Sequence, residues 1–129
     1  MNKRWVYILI FSLIMIGGSI FEFVFSNYTI DKLIADTQSI KTQIIENSSI
    51  TENLNEEISD VDEFWTSQEN ILCIMFNHKD MLELGSQITQ VKTYISQNDL
   101  DNSIIHLDML IFYINGLKHI IELSYQNIF

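Results

Sequence analysis

Proline is absent from this sequence and glycine occurs only four times, so the residues that most often form turns are scarce. β-Sheet architectures depend on Gly and Pro at their turns, whereas helix interiors need neither residue. The hydrophobic fraction is 47%, and after one long apolar run it recurs at helical intervals. The sequence therefore argues against an all-β protein and predicts an all-α one.

Basic residues are missing from the central segment, which contains no Lys or Arg between Thr42 and His78. Its acidic residues are Glu46, Glu52, Glu56, Glu57, Asp60, Asp62, Glu63 and Glu69. The whole chain has a formal net charge of −10. A surface of this sign repels phosphate backbones, so we expect no nucleic-acid partner. The acidic run itself is typical of a solvated helix face.

Cysteine occurs once, as Cys73, which excludes a disulfide within the chain. It lies in the apolar run from Ile71 to Phe76, where a buried structural thiol is expected. A thiol in apolar surroundings is a poor nucleophile. Pairing between molecules in an oxidising compartment is the alternative role.

A long apolar run opens the chain, with no charged residue from Trp5 to Phe21. Continuing the run to Phe25 adds only Glu22, and a bilayer core of about 30 Å needs roughly 20 helical residues. The run therefore predicts a transmembrane helix that is retained as an anchor. A cleaved signal peptide is the alternative, because Gly17 and Ser19 could occupy the small-residue positions before a cut.

Positive charge flanks only the start of this run, since Lys3 and Arg4 precede it and the next basic residue is Lys32. The positive-inside rule then places the N-terminus in the cytoplasm. The predicted organisation is a cytoplasmic start and transmembrane anchor in residues 1–26, followed by an extracytoplasmic helical domain in residues 27–129. We expect a single-pass protein of the cell membrane.

Apolar residues recur at helical spacing in four stretches of the outer domain. The stretches are marked by Ile30 to Ile45, Ile50 to Met75, Leu84 to Ile95 and Leu100 to Ile121. Polar segments separate them at 77–80, at 96–99 and, more weakly, at 47–49. Short connections make successive helices antiparallel neighbours. We expect either an array of helical hairpins with one protruding end or a closed four-helix bundle.

Histidine and carboxylate pairs are the only features that resemble a set of metal ligands. They are His78 with Asp80, His106 with Asp108, and His119 with Glu122. Transition-metal sites normally converge three or four ligands, and these pairs are scattered along the chain. The sequence also has no nucleophile elbow, no Gly-rich phosphate loop and no EF-hand loop. We therefore expect no catalytic residue, no cofactor and no metal, in a protein that is not an enzyme.

Two features predict protein contacts. The stretch from Ile104 to Ile114 is apolar on more than one side, and Ile105 and Phe112, seven residues apart, define a second stripe. Such a stripe marks an interface if it is exposed, and the alternative is a helix buried on all sides. Trp65 fills a core by default, with a role in partner binding as the alternative. The candidate interaction residues are Trp65, Ile105, Phe112 and, in the apolar tail, Phe129.

This arrangement resembles the family called domain of unknown function 4363. The matching features are the basic start with one apolar span, Trp65, Phe76 to Met81, the helices Ile88 to Ile95 and Leu107 to Ile121, and the closing Asn127-Ile128-Phe129. The resemblance implies a small membrane-anchored protein of Gram-positive, often spore-forming, bacteria. It supplies no reaction, ligand or catalytic residue.

Two functions are consistent with these features. The first is a membrane-anchored accessory protein that acts through contacts outside the cytoplasm, with another membrane protein or with itself. The second is an extracytoplasmic sensor that binds a small ligand or a cation and signals through a membrane partner. Only Met1 to Arg4 would lie in the cytoplasm, so a sensor would also need a partner.

Overall fold

Four helices account for nearly all of the computed structural model, which describes residues 3–127. They are α1 (Lys3–Asn47), α2 (Glu52–Met75), α3 (His78–Ser96) and α4 (Leu100–Gln126). No strand occurs among the described residues. The predicted all-α fold is therefore confirmed.

The helices form a closed four-helix bundle with one protruding end. α1 contacts α2 and α4, and α3 also contacts α2 and α4, so each helix has two neighbours. The connections are short, which makes successive helices antiparallel. The contact between α1 and α4 closes the ring, and within residues 3–127 no Cα atoms of α2 and α4 lie within 8 Å of each other. Of the two expected arrangements of the outer domain, the structure shows the closed bundle, and the N-terminal half of α1 extends beyond it.

α1 passes from the apolar run into the bundle without a break, so the expected boundary between residues 26 and 27 falls inside a helix. Residues 3–24 are exposed, and burial begins at Phe25 and Ser26. From there buried positions recur at helical spacing at Ser26, Thr29, Ile30, Leu33, Thr37, Ile40 and Ile44. The same helix therefore changes from an all-apolar cylinder to an amphipathic one at the base of the bundle.

The turns occur where the polar segments predict them. Ser48, with φ 49°, and Asn98, with φ 57°, adopt left-handed backbone conformations after α1 and α3, which ends each helix. The Asn77 side chain accepts a hydrogen bond from the backbone N–H of Lys79 at 2.9 Å. This cap lets α3 begin at His78, well before the apolar positions from Leu84 that mark it in the sequence.

Candidate interaction site

α4 has two apolar faces, of which only one is used by the bundle. Its inner face buries Ser103, Leu107, Leu110, Ile114, Leu117 and Ile121. Its outer face carries a row at spacings of three and four residues, which we call the α4 stripe: Ile105, Met109, Phe112, Gly116, Ile120 and Leu123. Every member of the stripe is exposed, so a continuous apolar surface follows α4 along its length.

The two stripe residues singled out by the sequence lie on this surface. The side chain of Phe112 is 81% exposed and that of Ile105 is 54% exposed. These exposures rule out the alternative in which α4 is buried on all sides. Met109, Ile120 and Leu123 were not predicted as interaction residues, although the helical period continued from Ile105 includes them.

Trp65 belongs to the core and not to the surface, since it is only 2% exposed. A Cβ built on Gly85 of α3 would lie 3.0 Å from the indole Nε1 of Trp65, so the ring packs closely against the backbone of α3. Trp65 is therefore a core residue, as predicted, and cannot contact a partner in the folded bundle. The predicted contact residue Phe129 lies outside the described residues.

Polar groups border the α4 stripe on the side of α1. The carboxylate of Asp108 pairs with Lys41, and Lys118 Nζ lies 2.7 Å from Asp31 Oδ1. The hydrogen bond and charge of Asp31 raise the pKa of Lys118 above its ordinary value. These pairs join α4 to α1 and place a charged margin beside the stripe.

A second polar margin lies on the side of α3. The Tyr113 hydroxyl donates a hydrogen bond to the backbone carbonyl of Asp80 at 3.1 Å, and burial, followed by the charge of Asp80, raises the pKa of Tyr113. His106 stacks on Tyr94 with ring centroids 4.7 Å apart. An apolar centre with a polar rim is the usual composition of a protein–protein interface.

The base of the bundle contains a cavity of about 270 Å³ where α1, α4 and the turn between α2 and α3 meet. Its polar lining includes Glu22, Ser26, Asp80 and Ser124. Tyr125 forms part of the wall, and its ring contacts that of Phe23 edge-on, with centroids 4.4 Å apart. The C-terminal turn of α4 is therefore held beside the apolar run of α1.

The candidate metal ligands stay apart. Within residues 3–127, no group of three or more His, Cys, Asp or Glu side chains is close enough to hold a metal ion. His78 lies exposed at the start of α3, and His119 lies exposed on α4. Cys73 is half-buried and packs against the core, which is more exposed than the buried thiol expected from its apolar neighbours.

Two of the described helices, α1 and α4, are long and apolar enough to cross a membrane. The apolar window of α1 has none of its residues buried in the protein, whereas that of α4 lies partly in the bundle core. α4 also carries the paired charges of Asp108 and Lys118. Burial and charge therefore make α1 the better candidate for a membrane span, whereas α4 is a helix of the bundle.

A family model described as domain of unknown function (DUF4363) matches residues 21–128. The matched segment begins near the base of the bundle and includes all of α2, α3 and α4. No curated protein and no solved structure matches the chain. The family resemblance inferred from the sequence is thereby confirmed.

Proposed function

The chain belongs to the family of the domain of unknown function DUF4363, and we propose that it is a non-enzymatic, membrane-anchored accessory protein. In this proposal the bundle holds a second protein against the outer face of α4. The observation that carries the proposal is the α4 stripe, whose most exposed member is Phe112. The family description states no activity, so the argument rests on the surface of this chain.

The stripe lies outside the core of the bundle. A bundle helix needs one apolar face for the core, and α4 already buries Leu107, Leu110 and Ile114 on its inner face. A second apolar face in water lowers solubility unless something covers it. A protein partner with its own apolar helix face would bury the stripe and leave the polar margins hydrated.

Anchoring in the membrane is the second part of the proposal. The N-terminal half of α1 is apolar and exposed all round, as expected of a helix whose neighbours are lipids. Lys3 and Arg4 precede the run, so the positive-inside rule supports a cytoplasmic N-terminus and a bundle outside the cytoplasm.

The partner is proposed to be a membrane protein or a second copy of this chain. The α4 stripe ends at Leu123, and the neighbouring Tyr125 packs against Phe23 of the apolar run. A partner covering the full stripe must therefore reach the level where α1 enters the membrane. In a dimer the two anchors would share one membrane, so the two α4 helices would run parallel.

Site-specific photocrosslinking in native membranes tests the partner contact. A photoreactive amino acid at Met109, in the α4 stripe, is expected to form a discrete adduct with a protein. The same amino acid at Glu63, on the exposed outer face of α2, is the matched control and should form none. Changing Phe112 to Ser should abolish the Met109 adduct, because it places a small polar group at the centre of the apolar contact.

The mass of the adduct distinguishes the two kinds of partner, since a second copy doubles the mass of the chain. An adduct at Met109 that persists with Phe112→Ser, or that is no stronger than at Glu63, would contradict the proposal. The orientation is tested by treating intact cells with a membrane-impermeant thiol reagent, which should label Glu63→Cys, away from the α4 stripe, in a Cys73→Ala chain. Labelling only after lysis would place the bundle in the cytoplasm.

A further inference from the structure

The C-terminal ends of α2 and α4 lie at the level where α1 enters the bundle. Ser26 Oγ lies 3.4 Å from Met75 Sδ at the end of α2, and the Phe23 ring contacts Tyr125 at the end of α4. Residues about one turn from these contacts therefore share approximately the same height along the bundle axis.

Exposed apolar side chains occur on three of the four helices at this level. We call Tyr28, Ile71, Ile74, Ile120 and Leu123 the basal belt, and all five are exposed. Ile74 is 86% exposed although it is fully apolar. The belt spans α1, α2 and α4, so it faces several directions, which one partner helix could not cover. A medium that surrounds the base could cover it.

From this arrangement we propose that the base of the bundle is immersed in the lipid interface of the outer leaflet, with the basal belt in contact with lipid. The inference rests on the membrane anchoring of the proposed function, but it does not depend on the partner contact of the α4 stripe. Ile120 and Leu123 belong to both surfaces, and where no partner is bound lipid alone covers them. The occupant of the belt is lipid, and the polar turn between α2 and α3 lies among the headgroups.

The length of the apolar run supports this immersion. As a helix, the uncharged segment from Trp5 to Phe21 rises about 25 Å, whereas a hydrocarbon core is about 30 Å thick. A helix that starts at Trp5 and is as long as the hydrocarbon core is thick ends at about Val24. Val24 lies within one turn of Ser26, so the outer edge of the hydrocarbon core lies at the level of the belt. Glu22 lines the base cavity with Ser124, so α4 partly encloses it on the bundle side.

The distribution of charge along α2 agrees with a membrane at the base. Its acidic residues lie from Glu52 to Glu69, and the last turns, from Asn70 to Met75, carry no charge. His78 and Lys79 follow at the exposed turn. Anionic headgroups repel carboxylates and attract Lys, so α2 points its acidic end away from the membrane. Glu122 is the exposed acidic residue of α4 near this level.

Tyrosine is also placed as a membrane interface favours. Tyr28 is exposed on α1, and Tyr125 lies half-buried beside Phe23. Tyrosine is enriched where lipid tails meet water, because its ring is apolar and its hydroxyl is polar.

Spin-label accessibility in pure lipid tests the immersion. The full-length chain with Cys73→Ala is reconstituted in vesicles of phosphatidylcholine and phosphatidylglycerol, and single labels are placed at Ile74→Cys and Leu123→Cys. Ile45→Cys and Ile105→Cys, which are exposed at the far end of the bundle, are the matched controls. All four side chains are exposed, so labelling leaves the core intact.

The two belt labels are expected to collide several-fold more often with oxygen, relative to a water-soluble nickel complex, than the two control labels. Equal ratios at the belt and control positions would overturn the inference. A label at Leu13→Cys, in the apolar run, reports on the anchor. A lipid-exposed Leu13 label with water-exposed belt labels refutes the immersion and leaves the proposed function standing. A water-exposed Leu13 label refutes both the immersion and the anchor.

Discussion

α2 and α4 lie diagonally opposite in the bundle, and their outer faces differ in chemistry. Each buries one apolar face, α2 through residues such as Leu54 and Ile58 and α4 through residues such as Leu107. The outer face of α2 exposes Glu52, Glu56, Asp60 and Glu63, whereas that of α4 exposes the α4 stripe. Neither outer face packs against the rest of the chain. The packing of the bundle therefore does not account for the difference.

The largest expected effect separates the inner face of α4 from its outer face. Leu107→Ala should lower the free energy of unfolding by about 2–5 kcal/mol, because Leu107 is fully buried and its truncation leaves a cavity. Phe112→Ala should change it by less than about 0.5 kcal/mol, since an exposed side chain loses few contacts.

Urea unfolding of the full chain in detergent, followed by circular dichroism, gives both values. Leu54→Ala on α2 is the matched control and should behave like Leu107→Ala. A loss with Phe112→Ala as large as that with Leu107→Ala would show that the outer face of α4 is part of the core.

The two glycines of the bundle are expected to respond to alanine in opposite directions. A Cβ at Gly116, on the α4 stripe, meets nothing within 4 Å, so Gly116→Ala should stabilise the helix by up to about 1 kcal/mol. A Cβ at Gly85 would press on the buried indole of Trp65 at 3.0 Å. Gly85→Ala should therefore destabilise by about 1 kcal/mol or more.

Denaturant unfolding of the two alanine variants measures this contrast. In a Trp65→Phe background, which removes the indole nitrogen, Gly85→Ala should no longer be unfavourable. If Gly85→Ala stays destabilising in that background, the contact with Trp65 is not its cause.

The smallest expected effect is the change in melting temperature when the N-cap residues of α2 and α4 are replaced. The Asp99 carboxylate accepts a hydrogen bond from the backbone N–H of Asn102 at 3.1 Å, whereas Thr51, the N-cap of α2, forms no side-chain cap bond. Asp99→Ala should lower the melting temperature and Thr51→Ala should leave it nearly unchanged.

The contribution of Asp99 should also depend on pH. Hydrogen bonds from the side chain and backbone of Asn102 hold the pKa of Asp99 below its ordinary value of 3.8. The stabilisation is therefore complete above the unfolded pKa and is lost as the pH falls through the lower folded pKa. Melting curves of the native chain and of Asp99→Ala should converge in strong acid, and a difference that persists there would exclude ionisation as its source.

Periodicity predicted the helices well because each has a regular buried row. It also predicted a second row on α4 at Ile105 and Phe112, but it could not show that this row is exposed. Ile105 and Leu107 both lie in apolar rows, and only the packing of α1 and α3 shows that Leu107 is inside. For Trp65, the sequence predicted a core position but not what would cover the indole. The close approach of α3 at Gly85 depends on the fold as a whole.

The sequence predicted which helices pack side by side only where a short turn joins them. The turns at Ser48, Asn77 and Asn98 explain three of the helix pairs, whereas the pairing of α1 with α4 has no local signal. That pairing consists of long-range contacts between buried residues of the two helices, with the ion pair of Lys118 and Asp31 beside them. The exposed row on α4 could be predicted from the sequence in part, but its partner could not.

The uninterrupted course of α1 has a mechanical consequence. Its 45 residues form a single lever, because no proline interrupts it and no loop separates the bundle from the apolar run. A torque applied to the bundle is therefore transmitted to the apolar end as a tilt and is not absorbed by a joint. A force that pulls on α4 would be transmitted to the N-terminal end of α1 through the contacts that join these two helices.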